Sequence, residues 1–155
     1  MTPAPLELAV QYATGRRGVP HRRSIERWLR AAVRRAAAIT VRFAGRAEVS
    51  ALNGRFRGRH NPTNVLSFPY AGAGLRAPGR RGRREVLSGD IVVCPQVIRR
   101  EARAQGKSAQ EHFAHMVVHG ALHLQGFDHR TGAEAEIMEA RERAILGRLG
   151  YADPY

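Results

Sequence analysis

Five of the seven histidines in this 155-residue chain fall between residues 112 and 129. Within that span, HGALHLQGFDH (residues 119–129) sets His119 and His123 four positions apart. On a helix such a pair stacks on one face with Cβ atoms about 5–6 Å apart, and two imidazoles so placed can share one tetrahedral zinc. A third imidazole cannot return to the same point six residues further along a straight helix. Gly126 removes that difficulty, because glycine takes the positive φ that turns a chain sharply at a helix end. His129 then closes the triangle. Three protein ligands leave a fourth position for water, as catalytic zinc sites do and structural ones do not. The expectation is a hydrolase with one zinc ion held by His119, His123 and His129.

The spacing matches the extended zinc-protease pattern H-E-x-x-H-x-x-G-x-x-H at every position but one. Gly120 stands where those proteases carry the glutamate that takes a proton from zinc-bound water. The ligand geometry is retained and the protease's general base is absent, so peptide hydrolysis is disfavoured. His115 and His112 continue the same helical face one and two turns earlier. They read as packed or solvated, with support of a ligand imidazole as the alternative. Asp128 either orients an imidazole or serves the turn.

The elements that must position this cluster follow from hydrophobic periodicity. Leu6–Tyr12 alternates as a half-buried strand, and a helix runs from Ile25 with Leu29, Ala32, Val33 and Ala36 on one side. Ile39–Phe43 reads as a second strand, followed by a short helix through Val49 and Leu52. Asn64–Phe68 reads as a third strand stopped by Pro69, and Gly89–Cys94 as a fourth, buried one. Helices are expected over Gln96–Gln105, over Ser108–Leu124 with a capping box from Ser108 to Glu111, and over about Ala133–Leu149, with Ile137, Met138, Ala144, Ile145 and Leu149 available to pack. Four short strands among four or five helices make an α+β fold, and the length suits one domain. Residues 71–84, AGAGLRAPGRRGRR, read as a mobile surface loop.

Charge narrows the substrate. Of 26 basic residues 25 are arginine, and their distribution is lopsided. Residues 1–110 carry 22 basic against 6 acidic residues, a net +16, whereas residues 111–155 carry 4 against 7, a net −3. A surface of that sign attracts polyanions, and nucleic acid is the expected partner. No apolar run approaches the roughly 20 residues of a membrane span, and MTPAPLELAVQYATGRR lacks the layout of a secretory signal. The lone Cys94 excludes an internal disulfide and suits a reducing compartment, so a soluble cytoplasmic protein without membrane contact is expected.

Three stretches together resemble a known family. HMVVHGALHLQGFDH (residues 115–129) resembles the signature of the bacterial YbeY-type endoribonucleases, which mature ribosomal RNA. LNGRFRGRHNPTNVLSFP (residues 52–69) resembles that family's LNxxYRxxDxPTDVLSFP segment, and SGDIVVC (residues 88–94) its LGDIVIC strand. The resemblance implies a single domain over residues 1–155 with a small mixed four-stranded sheet, about five flanking helices and the three-histidine zinc in a cleft. It also implies cleavage of single-stranded RNA in maturation of the small-subunit ribosomal RNA 3′ end and in ribosome quality control. The family's functionally important arginine falls on Arg57, whose guanidinium could grip a phosphate at two points and offset charge that builds up during attack at phosphorus. Two departures stand out. His60 replaces the family's acidic residue, and the segment between the last two strands is longer and carries Arg76, Arg80, Arg81, Arg83 and Arg84. Alternative readings are a three-histidine zinc metallohydrolase or protease, and a non-catalytic ribosome-associated RNA-binding factor with structural zinc. With no glutamate beside the first ligand, the nucleophile is either zinc-bound hydroxide or the RNA's own 2′-hydroxyl. Product ends separate the two: a 2′,3′-cyclic phosphate identifies the 2′-hydroxyl and excludes direct attack by zinc-bound hydroxide.

Overall fold

The computed structural model of the protein describes residues 3–58, 63–70 and 86–155, the side chain of Arg57 excepted. The 71–84 segment and His60 lie outside the described residues. Period-two alternation builds strand β1 (Leu6–Tyr12), and helix α1 (Arg22–Ala32) follows with Ile25, Trp28, Leu29 and Ala32 buried along one stripe. Next come β2 (Ala37–Phe43), α2 (Arg46–Arg57), β3 (Val65–Pro69) and β4 (Leu87–Val93), then α3 (Pro95–Gln105), α4 (Ala109–Leu124) and α5 (Gly132–Arg148). The strand order is β1-β2-β4-β3. β1, β2 and β4 run parallel, while β3 lies antiparallel to β4 on the edge with Val65 opposite Val93 and Pro69 opposite Gly89. Among the described residues the result is the expected mixed four-stranded α+β architecture with five helices. Pro69 ends β3 instead of standing beyond it, which an edge strand tolerates because one side of its backbone needs no ladder partner. The helix through Val49 and Leu52 is also longer than its weak apolar pattern suggested, running 12 residues to the left-handed Gly58.

The two faces of the sheet are covered unequally. Ile39, Val41 and Phe43 of β2 and Leu87, Ile91 and Val93 of β4 face the larger core with α1 and α4. Val92 and Leu66 point the other way, onto Val49 of α2 and Val97 of α3. α4 is the hub: it packs on α1, α3, α5, β3 and β4, and its HFAHMVVHGALHL stretch is buried almost all round. A helix with so little exposed surface belongs in a core. Its start is the expected cap, with the Ser108 hydroxyl accepting from the Glu111 backbone N–H at 3.1 Å. Among the described residues no helix is long and apolar enough to cross a membrane.

Two glycines let α4 press against the sheet. A Cβ at Gly120 would lie 2.8 Å from Ile91 Cγ2 and 3.1 Å from Ser67 Oγ, and one at Gly89 would lie 2.7 Å from Leu124 Cδ2 and from the Phe68 carbonyl oxygen. The Ser67 hydroxyl donates to the Gly120 carbonyl across this contact at 3.0 Å. The position of the protease glutamate is therefore a packed helix–sheet contact with no room for a side chain.

α5 departs from the expected face. Met138, Glu142, Ile145 and Leu146 are buried on it, and Leu149 follows in the next turn, whereas Ile137, expected to pack, is 59% exposed and Ala144 is exposed as well. Spacings of four, three and one residues hold a single stripe, and Glu142 sits at its centre.

Gly120→Ala tests the close approach. Helix propensity alone would favour alanine by about 1 kcal/mol, but overpacking costs about 1–3 kcal/mol. The expected outcome in urea unfolding is a net destabilisation, and a variant more stable than wild type would show that the contact has slack.

Candidate metal centre

His119 and His123 leave α4 on one face, one turn apart, with ring centroids 4.6 Å apart and their Nε2 atoms 3.1 Å apart. The helix then stops as the sequence anticipates. Gly126 adopts φ +96°, its N–H bonds to the His123 carbonyl at 3.0 Å, and the Phe127 N–H bonds to the Leu122 carbonyl at 3.1 Å. Those two bonds are the Schellman pair, and they turn the chain back toward the helix. His129 arrives with its ring centroid 5.6 Å from His119 and 5.1 Å from His123. One nitrogen from each of the three rings falls within 4.8 Å of the others.

The donor set suits a zinc ion. Zn–N bonds of about 2.0–2.1 Å in a tetrahedron set neighbouring nitrogens about 3.3 Å apart, close to the 3.1 Å between His119 and His123. Neutral imidazoles favour zinc and other borderline transition metals over magnesium or calcium, which take oxygen.

Behind the triad lies a polar network that the sequence did not disclose. Glu142 of α5 is fully buried, and its carboxylate accepts from His119 Nδ1 at 3.2 Å, from the Tyr155 hydroxyl at 3.0 Å and from His115 Nε2 in a shorter contact. Burial pushes this carboxyl up. The hydrogen bonds from His115 and His119 outweigh that and hold it at about 2, so it is ionised at neutral pH. Burial, with Glu142 alongside, drives the Tyr155 phenol the other way, above its ordinary value, and keeps its proton in place to donate. His115 thus shares Glu142 with His119 and is not merely packed. His112 does not join this group: its Nε2 pairs with Glu101 of α3 at 2.8 Å, and burial lowers its pKa below the ordinary histidine value.

The triad opens into a cleft of about 470 Å³ beside the edge strand, lined by Asn53 of α2, Asn64 and Ser67 around β3, and Asp128. Asp128 serves the turn: it accepts from the His129 backbone N–H at 2.8 Å and pairs with Arg130 at 3.0 Å. Arg57 is the last residue of α2, one turn after Asn53, and its side chain lies outside the described residues.

Fold and cluster together define an α+β protein with a three-histidine candidate metal centre in an open cleft. The family model described as "Endoribonuclease YbeY" matches residues 18–150. Proteins named endoribonuclease YbeY from Thiobacillus denitrificans and Cupriavidus necator are 48% and 45% identical to this chain. The first alignment covers 97% of this chain and 96% of the relative, the second 99% and 75%. A solution structure from Thermotoga maritima shares the fold with a TM-score of 0.52 at 21% identity, covering 96% of this chain and 97% of that one. The chain belongs to the endoribonuclease YbeY family.

Ligand binding stabilises a folded state by mass action. Zinc should therefore raise the melting temperature of the wild type progressively with concentration. His129→Ala removes an exposed ring and leaves no core cavity. It should abolish the rise, and an undiminished rise would remove His129 from the cluster.

Proposed function

We propose that this protein is a metal-dependent endoribonuclease with one zinc ion held by His119, His123 and His129, cutting single-stranded RNA in the maturation of small-subunit ribosomal RNA. The observation that carries the reading is the convergence of three imidazoles on an open cleft in a chain of this family. When bound, the ion supplies concentrated positive charge and Lewis acidity at a phosphodiester.

The protein's own residues define what that centre can act on. Gly120, packed against Ile91 and Ser67, leaves no place for a protease-type glutamate, and this favours a phosphodiester over a peptide. The described polar lining is mainly amide and hydroxyl, from Asn53, Thr63, Asn64 and Ser67, groups that can hydrogen-bond phosphate and sugar. Arg57, the last residue of α2, matches the arginine of the family's motif, and in that role its guanidinium would hold the phosphate and offset charge growing on its oxygens. The net +16 of residues 1–110 draws the RNA in without reading its sequence. The family membership and the absence of a further His, Cys, Asp or Glu in the triad, among the described residues, favour a catalytic over a structural metal. The lack of a membrane-spanning helix among the described residues is compatible with work on cytoplasmic ribosomes.

The test is cleavage of a single-stranded RNA by wild type, His123→Ala and Arg57→Ala, with zinc content measured on the same samples. His123→Ala should lose metal and cleavage together. Arg57→Ala should keep its zinc and lose about 10²-fold in rate, the scale of removing one donor to developing charge; wild-type cleavage in that variant would take Arg57 out of the site. RNA affinity should fall linearly on a log–log salt plot, with a slope of about −0.7 for each phosphate neutralised.

A further inference from the structure

A carboxylate with no exposed surface, on a helix face otherwise built of Met138, Ile145 and Leu146, needs a reason to be there. Desolvating it is costly unless donors surround it, and an apolar side chain of similar volume would serve the packing as well. Glu142 has three donors, and one of them is a ring of the candidate centre: His119 meets Glu142 Oε1 through Nδ1 and turns Nε2 toward His123.

We propose that Glu142, gripped by His115 and Tyr155, is a positioning residue that fixes His119 as the Nδ1–H tautomer and aims its Nε2 lone pair at the metal. The inference rests on the three-histidine centre proposed above.

A carboxylate oxygen accepts hydrogen bonds, and His119 meets one through Nδ1 at 3.2 Å. His119 therefore carries its proton on Nδ1, which leaves Nε2 bare, the form a metal requires. His115 donates from Nε2, and its buried Nδ1 has no hydrogen-bond partner among the described residues. A bare acceptor there costs less than an orphaned N–H would, so the His115 proton that faces Glu142 is the one on Nε2. Tyr155 is placed by an anchored segment. Trp28 Nε1 donates to the Tyr151 hydroxyl at 3.2 Å, Arg143 holds Asp153 at 3.1 Å, and Asp153 accepts from the Tyr155 backbone N–H at 2.9 Å. The Tyr155 ring also packs edge-on against His115, with centroids 5.4 Å apart.

The same three side chains, His115, His119 and Glu142, come close enough to suggest a second cation site. Their contacts argue for hydrogen bonds instead. His115 and Glu142 touch directly, and the same carboxylate oxygen also takes the Tyr155 hydroxyl, so no gap is left for an ion between them.

The experiment compares wild type, Glu142→Gln and Tyr155→Phe. Zinc stoichiometry and affinity are measured by competition with a chromophoric chelator, and the visible spectrum is recorded after cobalt(II) substitution. Each is done well below the melting temperature of the metal-free protein. Wild type should bind one zinc per chain. Glu142→Gln should bind it about 10–100-fold more weakly, the usual scale for losing a ligand's hydrogen-bond partner, and should shift the cobalt bands. Tyr155→Phe should move both readouts in the same direction by less. If Glu142→Gln does not fold, Tyr155→Phe decides, because it keeps its ring and loses only a hydroxyl. Wild-type zinc affinity and cobalt spectrum in the folded variants would overturn the proposal, and so would two zinc ions per chain. Failure of wild type to bind zinc, or undiminished affinity in His123→Ala, would instead overturn the three-histidine centre on which the proposal stands.

Discussion

A helix that lies in the core cannot carry polar rings on its buried face unless each finds a partner, and α4 carries His112, His115, His119 and His123 at spacings of three, four and four. That constraint organises the molecule. His112 pairs with Glu101, which also accepts from the Asn64 side chain at 3.0 Å, and so fixes α3 to the entry of β3. His115 and His119 share Glu142 and so fix α5. His123 carries the stripe into the cleft. One line of imidazoles thus ties the helices to the strand that borders the site. Removing one partner leaves a buried polar group unsatisfied, which typically costs about 1–3 kcal/mol, so the fold and the site share their supports.

The second requirement is closeness. The cleft is bordered by β3 on one side and by the imidazoles of α4 on the other, so its width depends on how near α4 comes to the sheet. Gly120 on the helix and Gly89 on the strand allow van der Waals contact at points where any side chain would hold the surfaces apart. The feature that separates this chain from the zinc proteases is therefore also a packing feature. A glutamate at position 120 would have to displace Ile91 and Ser67 before it could act on anything.

What could be read from the sequence was local. His119, His123, Gly126 and His129 span eleven residues, and one helix geometry with one turn motif dictates where they meet. Strand and helix order followed from periodicity for the same reason. Glu142 and Tyr155 were out of reach, 23 and 36 positions beyond His119. A trace of Glu142 did exist: it occupies the register of Met138, Ile145 and Leu149, where an acid breaks an apolar stripe. Counting only apolar residues put Ile137 in the core and passed over the charge that belonged there. Arg57 has a different standing, because only its motif distinguishes it from 24 other arginines.

A centre meant for a polyanion should not project negative charge, yet Glu142 and Asp128 stand close to this one. Glu142 is removed from the cleft by burial and by three donors, so its field is compensated where it arises. Asp128 stands on the cleft wall, but its two oxygens face the His129 N–H and the Arg130 guanidinium. Both acids act through donors they already hold. Residues 111–155 therefore bring three imidazoles and a buried acid together while carrying a net −3, and the positive charge that attracts a polyanion lies in residues 1–110. The chain's charge asymmetry is then a division of labour: the imidazoles gather around a buried anion in one part of the chain, and the cations that attract a polyanion lie in the other.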